Sequence, residues 1–224
     1  MAAENPSQPA LDLIHRPALG AEDFFVADCN QDAVNWIDRW PEWPAVALLV
    51  YGPTGCGKTH LAQVWCHSNR AHFVPDAAAL AEIASQPELP PALVIDDADQ
   101  PGSEELLFHT YNRMVERGGS ILFTARLPAS RWGLSLADLR SRMLALPSVA
   151  MYQPDEMLMS ALLVKLFADC HLEVDAGVIN YLTSRIERSF GAAQRVVADI
   201  NHRSLADRRR VTTRYISDNF SFGS

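Results

Sequence analysis

The segment Gly52-Pro53-Thr54-Gly55-Cys56-Gly57-Lys58-Thr59 constrains this chain more than any other. It reads GxxxxGKT. An apolar run, Ala45 to Tyr51, precedes it, and a helix-like run, His60 to His67, follows. That strand–loop–helix setting separates a phosphate cradle from a glycine-rich turn that merely leads into a core helix. Glycines let the backbone turn its N–H groups inward around an anion, and the following helix adds the positive end of its dipole. In such a cradle Lys58 reaches the β- and γ-phosphates and the Thr59 hydroxyl ligates Mg²⁺.

The flanking sequence supplies the rest of such a site. Ala92-Leu93-Val94-Ile95 is a short apolar strand that runs into Asp96-Asp97. Taken alone, four apolar residues and two carboxylates fit a strand-to-turn junction equally well. Downstream of an intact cradle they place one carboxylate, Asp96, toward the Mg²⁺ held by the threonine. Ser120 to Thr124 reads as another strand with a hydroxyl at its end, and Leu136 to Met143 as a short helix carrying Arg140 and Arg142. Ala71 to Val74 and Val149 to Tyr152 complete five strands. Helices over 77–85 and about 104–117 lie between them, the second capped by Ser103 and stopped by Gly118-Gly119. After residue 154 the pattern is helical only: 157–170 capped by Asp155, 175–186, and about 190–205. Strands alternating with helices, then helices alone, predict an α/β parallel sheet followed by a helical subdomain. The expected division is an arm over 1–23, a nucleotide-binding unit over 24–153 and a helical lid over 154–224.

Charge sharpens that division. The net charge is −8, so the chain as a whole is not a polyanion binder. Beyond residue 150 nine basic and nine acidic residues cancel, which leaves the acidity in the first part. Arg203, Arg208, Arg209, Arg210 and Arg214 cluster near the C-terminus, and the sequence leaves open whether they meet DNA, an acidic partner or only solvent. Cys29, Cys56, Cys66 and Cys170 form no CxxC pair, which argues against zinc and a disulfide framework and suits a reducing cytosol. No signal peptide or transmembrane run is expected. The first 23 residues are rich in Pro, Ala and polar residues and read as a flexible arm. Within it, Gln8, Leu11 and Leu13 have the spacing of a peptide that docks extended, alternate side chains filling a pocket. Spacing alone favours the plainer reading, a tail with incidental leucines.

Four stretches together resemble the DnaA/Hda family of AAA+ ATPases, most of all its short, Hda-like branch: Gly52 to Leu61, Leu93 to Asp99, Ile121 to Pro128 and Leu136 to Arg142. Phe24 to Ala33 is similar to the family's adenine-pocket box. The resemblance implies an AAA+ P-loop NTPase with a five-stranded parallel sheet and a C-terminal helical lid. It implies a cofactor, ATP or ADP with Mg²⁺, held by Gly52, Pro53, Thr54, Gly55, Cys56, Gly57, Lys58, Thr59 and His60, with Phe25, Val26 and Asn30 near the base. Thr59 and Asp96 are the metal-side residues. Asp97 stands where many AAA+ proteins have a water-orienting glutamate, Thr124 at the first sensor position, and Arg142 at the arginine finger that acts in trans. Alignment puts Gly191 where the second sensor arginine is expected, so that either Arg188, the candidate, or Arg195 takes its place, or that sensor is missing.

The expected partners follow from the same resemblance. They are DnaA and, through Gln8, Leu11 and Leu13, the DNA polymerase III sliding clamp (beta), with DNA reached indirectly. The location is then cytoplasmic and nucleoid-associated, and a homo-oligomer is compatible. No helix-turn-helix DNA-binding domain is expected after the lid. The implied role is to stimulate ATP hydrolysis by DnaA and so prevent re-initiation. The alternative is an autonomous AAA+ ATPase, a helicase loader or DNA-remodelling subunit.

Overall fold

A computed structural model describes residues 14–16, as backbone, and 24–222. Gln8, Leu11 and Leu13 lie outside the described residues. Within the expected arm, β1 (Ile14–Arg16) pairs antiparallel with β2 (Phe24–Val26), Ile14 opposite Val26. The sequence of 1–23, read as a flexible arm, gave no sign of this short strand, because three residues are too few to show a strand period.

The chain continues through α1 (Gln31–Asp38), β3 (Ala47–Tyr51), α2 (Lys58–Ser68), β4 (His72–Val74), α3 (Ala77–Ser85), β5 (Ala92–Ile95) and α4 (Glu104–Glu116). Then come β6 (Ser120–Ala125), α5 (Ala137–Leu144) and β7 (Ser148–Ala150). Strands β3 to β7 form one parallel sheet in the order β4-β5-β6-β3-β7. Both faces of a parallel sheet must be covered, so its strands read as continuous apolar runs whose successive side chains serve opposite sides. In β3, Ala47 and Leu49 pack with Leu80, Leu107 and Leu139 from α3, α4 and α5. Leu48 and Val50 pack with Val34 and Leu61 from α1 and α2 on the other face. Leu93 and Ile95 against Ala92 and Val94, in β5, divide the same way. The helix that leaves β3 thus covers one face, and the helix that leaves neighbouring β6 covers the other. The crevice at the carboxyl ends of those two strands is where a parallel α/β sheet binds its ligand.

Beyond the sheet are α6 (Glu156–Asp169), α7 (Ala176–Thr183), α8 (Phe190–Asp207) and α9 (Thr213–Asn219). Asp155, Asp175 and Ser189 cap α6, α7 and α8 by accepting from Leu158 N (2.7 Å), Val178 N (2.9 Å) and Ala192 N (3.1 Å). Each such cap is worth about 1 kcal/mol. Helix α7 stops at Thr183, short of the expected 186, because the Arg185 and Ile186 amides both fold back onto Leu182 O in a turn. The helices close on a core of Leu162, Phe167, Leu182, Val197 and Ile200, and that core also takes in Phe25 from β2. Phe25 therefore joins the sheet-side ribbon to the helical region.

Candidate nucleotide site

The loop between β3 and α2 has the backbone of an anion cradle. Gly55 (φ 81°) and Gly57 (φ 98°) are both left-handed, a conformation only glycine adopts cheaply, and Gly57 is the residue from which α2 starts. At Gly52 a Cβ would come within 2.1 Å of Met151 O, so the loop enters pressed against the segment after β7. Lys58 is buried, and its Nζ donates to Gly52 O (2.8 Å) and Pro53 O (3.0 Å), with Cys56 Sγ at 3.8 Å. Its donors are thus taken up by groups of the loop itself, as a buried polar head requires. Burial pushes the Cys56 thiol up, while Lys58 beside it pulls the other way.

Across the crevice stand the carboxylates that end β5. The Thr59 hydroxyl lies 3.0 and 3.2 Å from the two oxygens of Asp96. Thr124, fully buried at the end of β6, donates its hydroxyl to Asp96 Oδ1 and accepts from the Asp97 backbone N–H (3.0 Å). One threonine thus fixes the rotamer of Asp96 and the backbone of Asp97. Asp97 is left-handed (φ 46°) and ion-paired through Oδ2 with Arg126 Nη2 at 3.3 Å. Among the described residues no group of three or more His, Cys, Asp or Glu forms a metal cage. Thr59 and Asp96 fit a smaller demand: Mg²⁺ bound with nucleotide takes one or two protein ligands, the rest being phosphate oxygens and waters.

The third wall comes from β2 and the start of α8. Phe24 stacks edge-on to His60 (5.4 Å, 68°), and Phe25 lies parallel to Phe190 (6.4 Å, 8°) with Lys165 Nζ 4.7 Å from its ring centre. Glu187, Ser189 and Gly191 close the space above the loop, and a Cβ on Gly55 would lie 2.2 Å from Glu187 Oε1. Arg195 borders the same space, its guanidinium running past Gly191 one turn earlier on α8, 3.3 Å from where a Cβ would stand. The walls enclose a cleft of about 370 Å³, flanked by aromatic rings at one end and by Lys58, Thr59, Asp97 and Arg126 at the other.

The fold recurs in solved structures. Domain III of the replication initiator DnaA from Thermotoga maritima superposes with a TM-score of 0.67 at 18% identity, over 84% of this chain and 89% of that one. DnaA bound to AMPPCP and single-stranded DNA superposes at 0.64 and 16% identity, over 83% of this chain and 66% of that one. The Holliday junction branch migration motor RuvB of Thermotoga maritima gives 0.59 at 15% identity, over 85% and 66%. This chain therefore spans about two thirds of the length of those longer proteins. No protein-family model matches the sequence. The chain has the AAA+ P-loop fold. Its five-stranded parallel sheet and C-terminal helical region are those expected from the sequence.

Within this AAA+ fold most of the sequence-derived residues gather at the cleft. Thr54, Gly55, Gly57, Lys58, Thr59, His60, Asp97 and Phe25 border it; Gly52, Pro53 and Cys56 shape the loop beneath; Asp96 and Thr124 meet beside Thr59. Val26 and Asn30 do not border it. Asn30 is buried, accepting from Ala27 N (2.9 Å) and donating to Phe25 O (2.8 Å), so its amide holds the ribbon that presents Phe25 rather than pointing at a base. Arg188 is also absent from the cleft, being exposed and paired with Glu156 at 3.3 Å. Arg195 does border it, because residues four apart share a helix face and Gly191 leaves room for the longer side chain.

Arg142 is exposed on α5, away from the cleft, over the rings of Phe108 (5.4 Å) and Tyr111 (5.6 Å) of α4. Much of the basic C-terminal cluster is engaged at home. Arg203 donates to Asn219 O (2.8 Å) and covers Phe220, Arg210 faces Glu173 (3.9 Å) and Arg214 faces Asp218 (3.7 Å). Sequence reading missed Phe24, Arg126, Glu187 and Phe190, and held Arg195 only as the alternative to Arg188. Arg126 had a signal, lying two residues past the strand-end hydroxyl of Thr124. Among the described residues no helix is long and apolar enough to cross a membrane.

Proposed function

We propose that this chain is an adenine-nucleotide-binding AAA+ ATPase subunit whose chemistry is completed by a second AAA+ subunit. The observation that carries the reading is the division of labour in space. Lys58, Thr59, Asp96, Asp97 and Arg195 gather around one anion cradle, while Arg142 stands exposed elsewhere. When bound, Mg-ATP supplies the phosphoanhydride and the metal's charge. The loop N–H groups, the α2 N-terminus and Lys58 would hold the phosphates. Thr59 and Asp96 would hold the metal, Asp97 would orient water, and Phe24, Phe25 and Phe190 would offer apolar ring surface to the base. Arg142 would lend its charge to a neighbour's terminal phosphate, an effect worth about 10³–10⁵ in rate where such residues act.

The two forms of this reading differ in whose ATP is hydrolysed. In the first the subunit turns over its own ATP within an assembly acting on DNA, as a loader or remodelling subunit. The filled cis set, Arg195 included, supports that form, as does the likeness to a branch migration motor. In the second it is an Hda-like regulator, tethered by Gln8, Leu11 and Leu13 to the sliding clamp, that lends Arg142 to DnaA. The resemblance of the four sequence stretches supports it, as does the aspartate in the usual glutamate place. A tether would raise the regulator's effective concentration at replicating DNA.

One experiment divides them: ATP turnover by this protein alone, by DnaA alone, and by both with clamp-loaded DNA. Turnover alone that rises with protein concentration and is lost in Arg142→Ala supports the first form. Acceleration of DnaA that needs the clamp, Gln8 and Leu11 supports the second. If Arg142→Ala changes neither turnover, the role given to that residue is wrong.

A further inference from the structure

Resting on the nucleotide-binding reading, we infer that Arg126 is the residue that distinguishes a terminal phosphate in this cleft. Its ion pair with Asp97 is the resting half of a two-position exchange. Arg126 directly follows β6, and its backbone N–H donates to Asp99 Oδ2 at 3.1 Å, so its main chain is pinned beside the Asp96-Asp97 pair. Its side chain is not pinned. It is 50% exposed, borders the cleft, and makes one contact with Asp97 (3.3 Å), itself 45% exposed. A single-point ion pair open to water contributes little and breaks easily. A guanidinium meeting phosphate oxygens makes parallel charge-assisted bonds that are stronger and directional. The exchange therefore runs downhill when a third phosphate is present on the Thr59–Asp96 side of the cleft, and Arg126 keeps its partner when none is.

Asp97 is built to be released without moving its backbone. It is left-handed (φ 46°), and its N–H is held by Thr124 Oγ1 at 3.0 Å. Freed from Arg126, only its carboxylate swings. With ADP the carboxylate stays paired with Arg126; with ATP it would be left unpaired on the terminal-phosphate side of the cleft, where it can order water. Arg126 thus joins a binding event to the availability of the general base, two roles that sequence spacing assigned to separate residues.

The test is equilibrium binding of ATP and of ADP, each with Mg²⁺, to the full chain and three variants, with thermal unfolding run alongside to establish that each folds. Arg126→Gln should lose about tenfold or more of its ATP affinity, the worth of a hydrogen bond to a charged group, and bind ADP within about twofold of wild type. Arg126→Lys, which keeps the charge but not the fork, should fall between. Asp97→Asn should bind ATP as well as wild type or better. The inference is overturned if Arg126→Gln weakens both nucleotides equally or neither, or if Asp97→Asn loses ATP affinity as Arg126→Gln does. Wild type binding neither nucleotide would instead sink the nucleotide-binding reading itself.

Discussion

At the scale of single residues the cleft depends on a few conformations that other side chains cannot adopt. Gly55→Ala places a side chain at φ 81° and against Glu187 and Ser189. Left-handed backbone costs an L-residue about 1–2 kcal/mol, which for a chain of this size lowers the melting midpoint by about 2–8 °C. Differential scanning calorimetry of the variant should show that fall. Cys29 gives a different kind of test. Burial, more than the nearby Asp155 and Asp28, pushes its thiol from 9.0 up to about 11. The folded protein therefore holds that proton more tightly than the unfolded chain. The resulting stabilisation is complete below about pH 9 and is lost as pH climbs through about 11. At pH 8 Cys29 should alkylate far more slowly in the native protein than in denaturant, because the thiolate is the nucleophile; equal rates would contradict its burial. Residue types were legible in the sequence here, since GxxxxGKT and Asp-Asp carry their chemistry in their spacing. Side-chain direction was not. Asn30 turned inward to hold Phe25 O, and Arg195, not Arg188, reached the cleft, because rotamer and helix phase decide such things.

At the scale of elements, the contact that makes the cleft responsive lies between β2 and α8. Phe25 belongs to the helical core while its strand is paired with β1, and Phe190 opens the helix that carries Arg195. The start of α8 and the ribbon are thus coupled through two parallel rings. Phe190→Ala should cost about 3–5 kcal/mol in urea unfolding, in the range of large-to-small core truncations. It should also weaken nucleotide binding, because Arg195 loses its fixed position. A variant that loses stability yet binds nucleotide normally would show that the stack is only packing. The strands were readable as apolar runs because a parallel sheet is buried on both faces. Short pieces such as β1 were not, since three residues carry too little period to separate strand from coil.

At the scale of the whole molecule, an acidic sheet region and a charge-balanced helical region enclose one cleft, and Arg142 faces outward. That asymmetry suits a subunit whose site is shared across an interface. Arg142→Ala should leave the chain's own nucleotide affinity within about twofold, since the residue lies outside the cleft, while abolishing any acceleration that depends on a second AAA+ subunit. The order of elements and the crevice could be read from sequence because each rests on local pattern. Which subunit, if any, works beside this one could not, because the fold is shared by structures as different in task as DnaA and RuvB. The most direct measurement is the equilibrium affinity of Mg-ATP for wild type and for Lys58→Ala, both checked for native thermal unfolding. The account predicts saturable binding by wild type and a loss of about hundredfold or more when the buried ammonium is removed. Wild type that does not bind, or Lys58→Ala that binds as tightly, would contradict it.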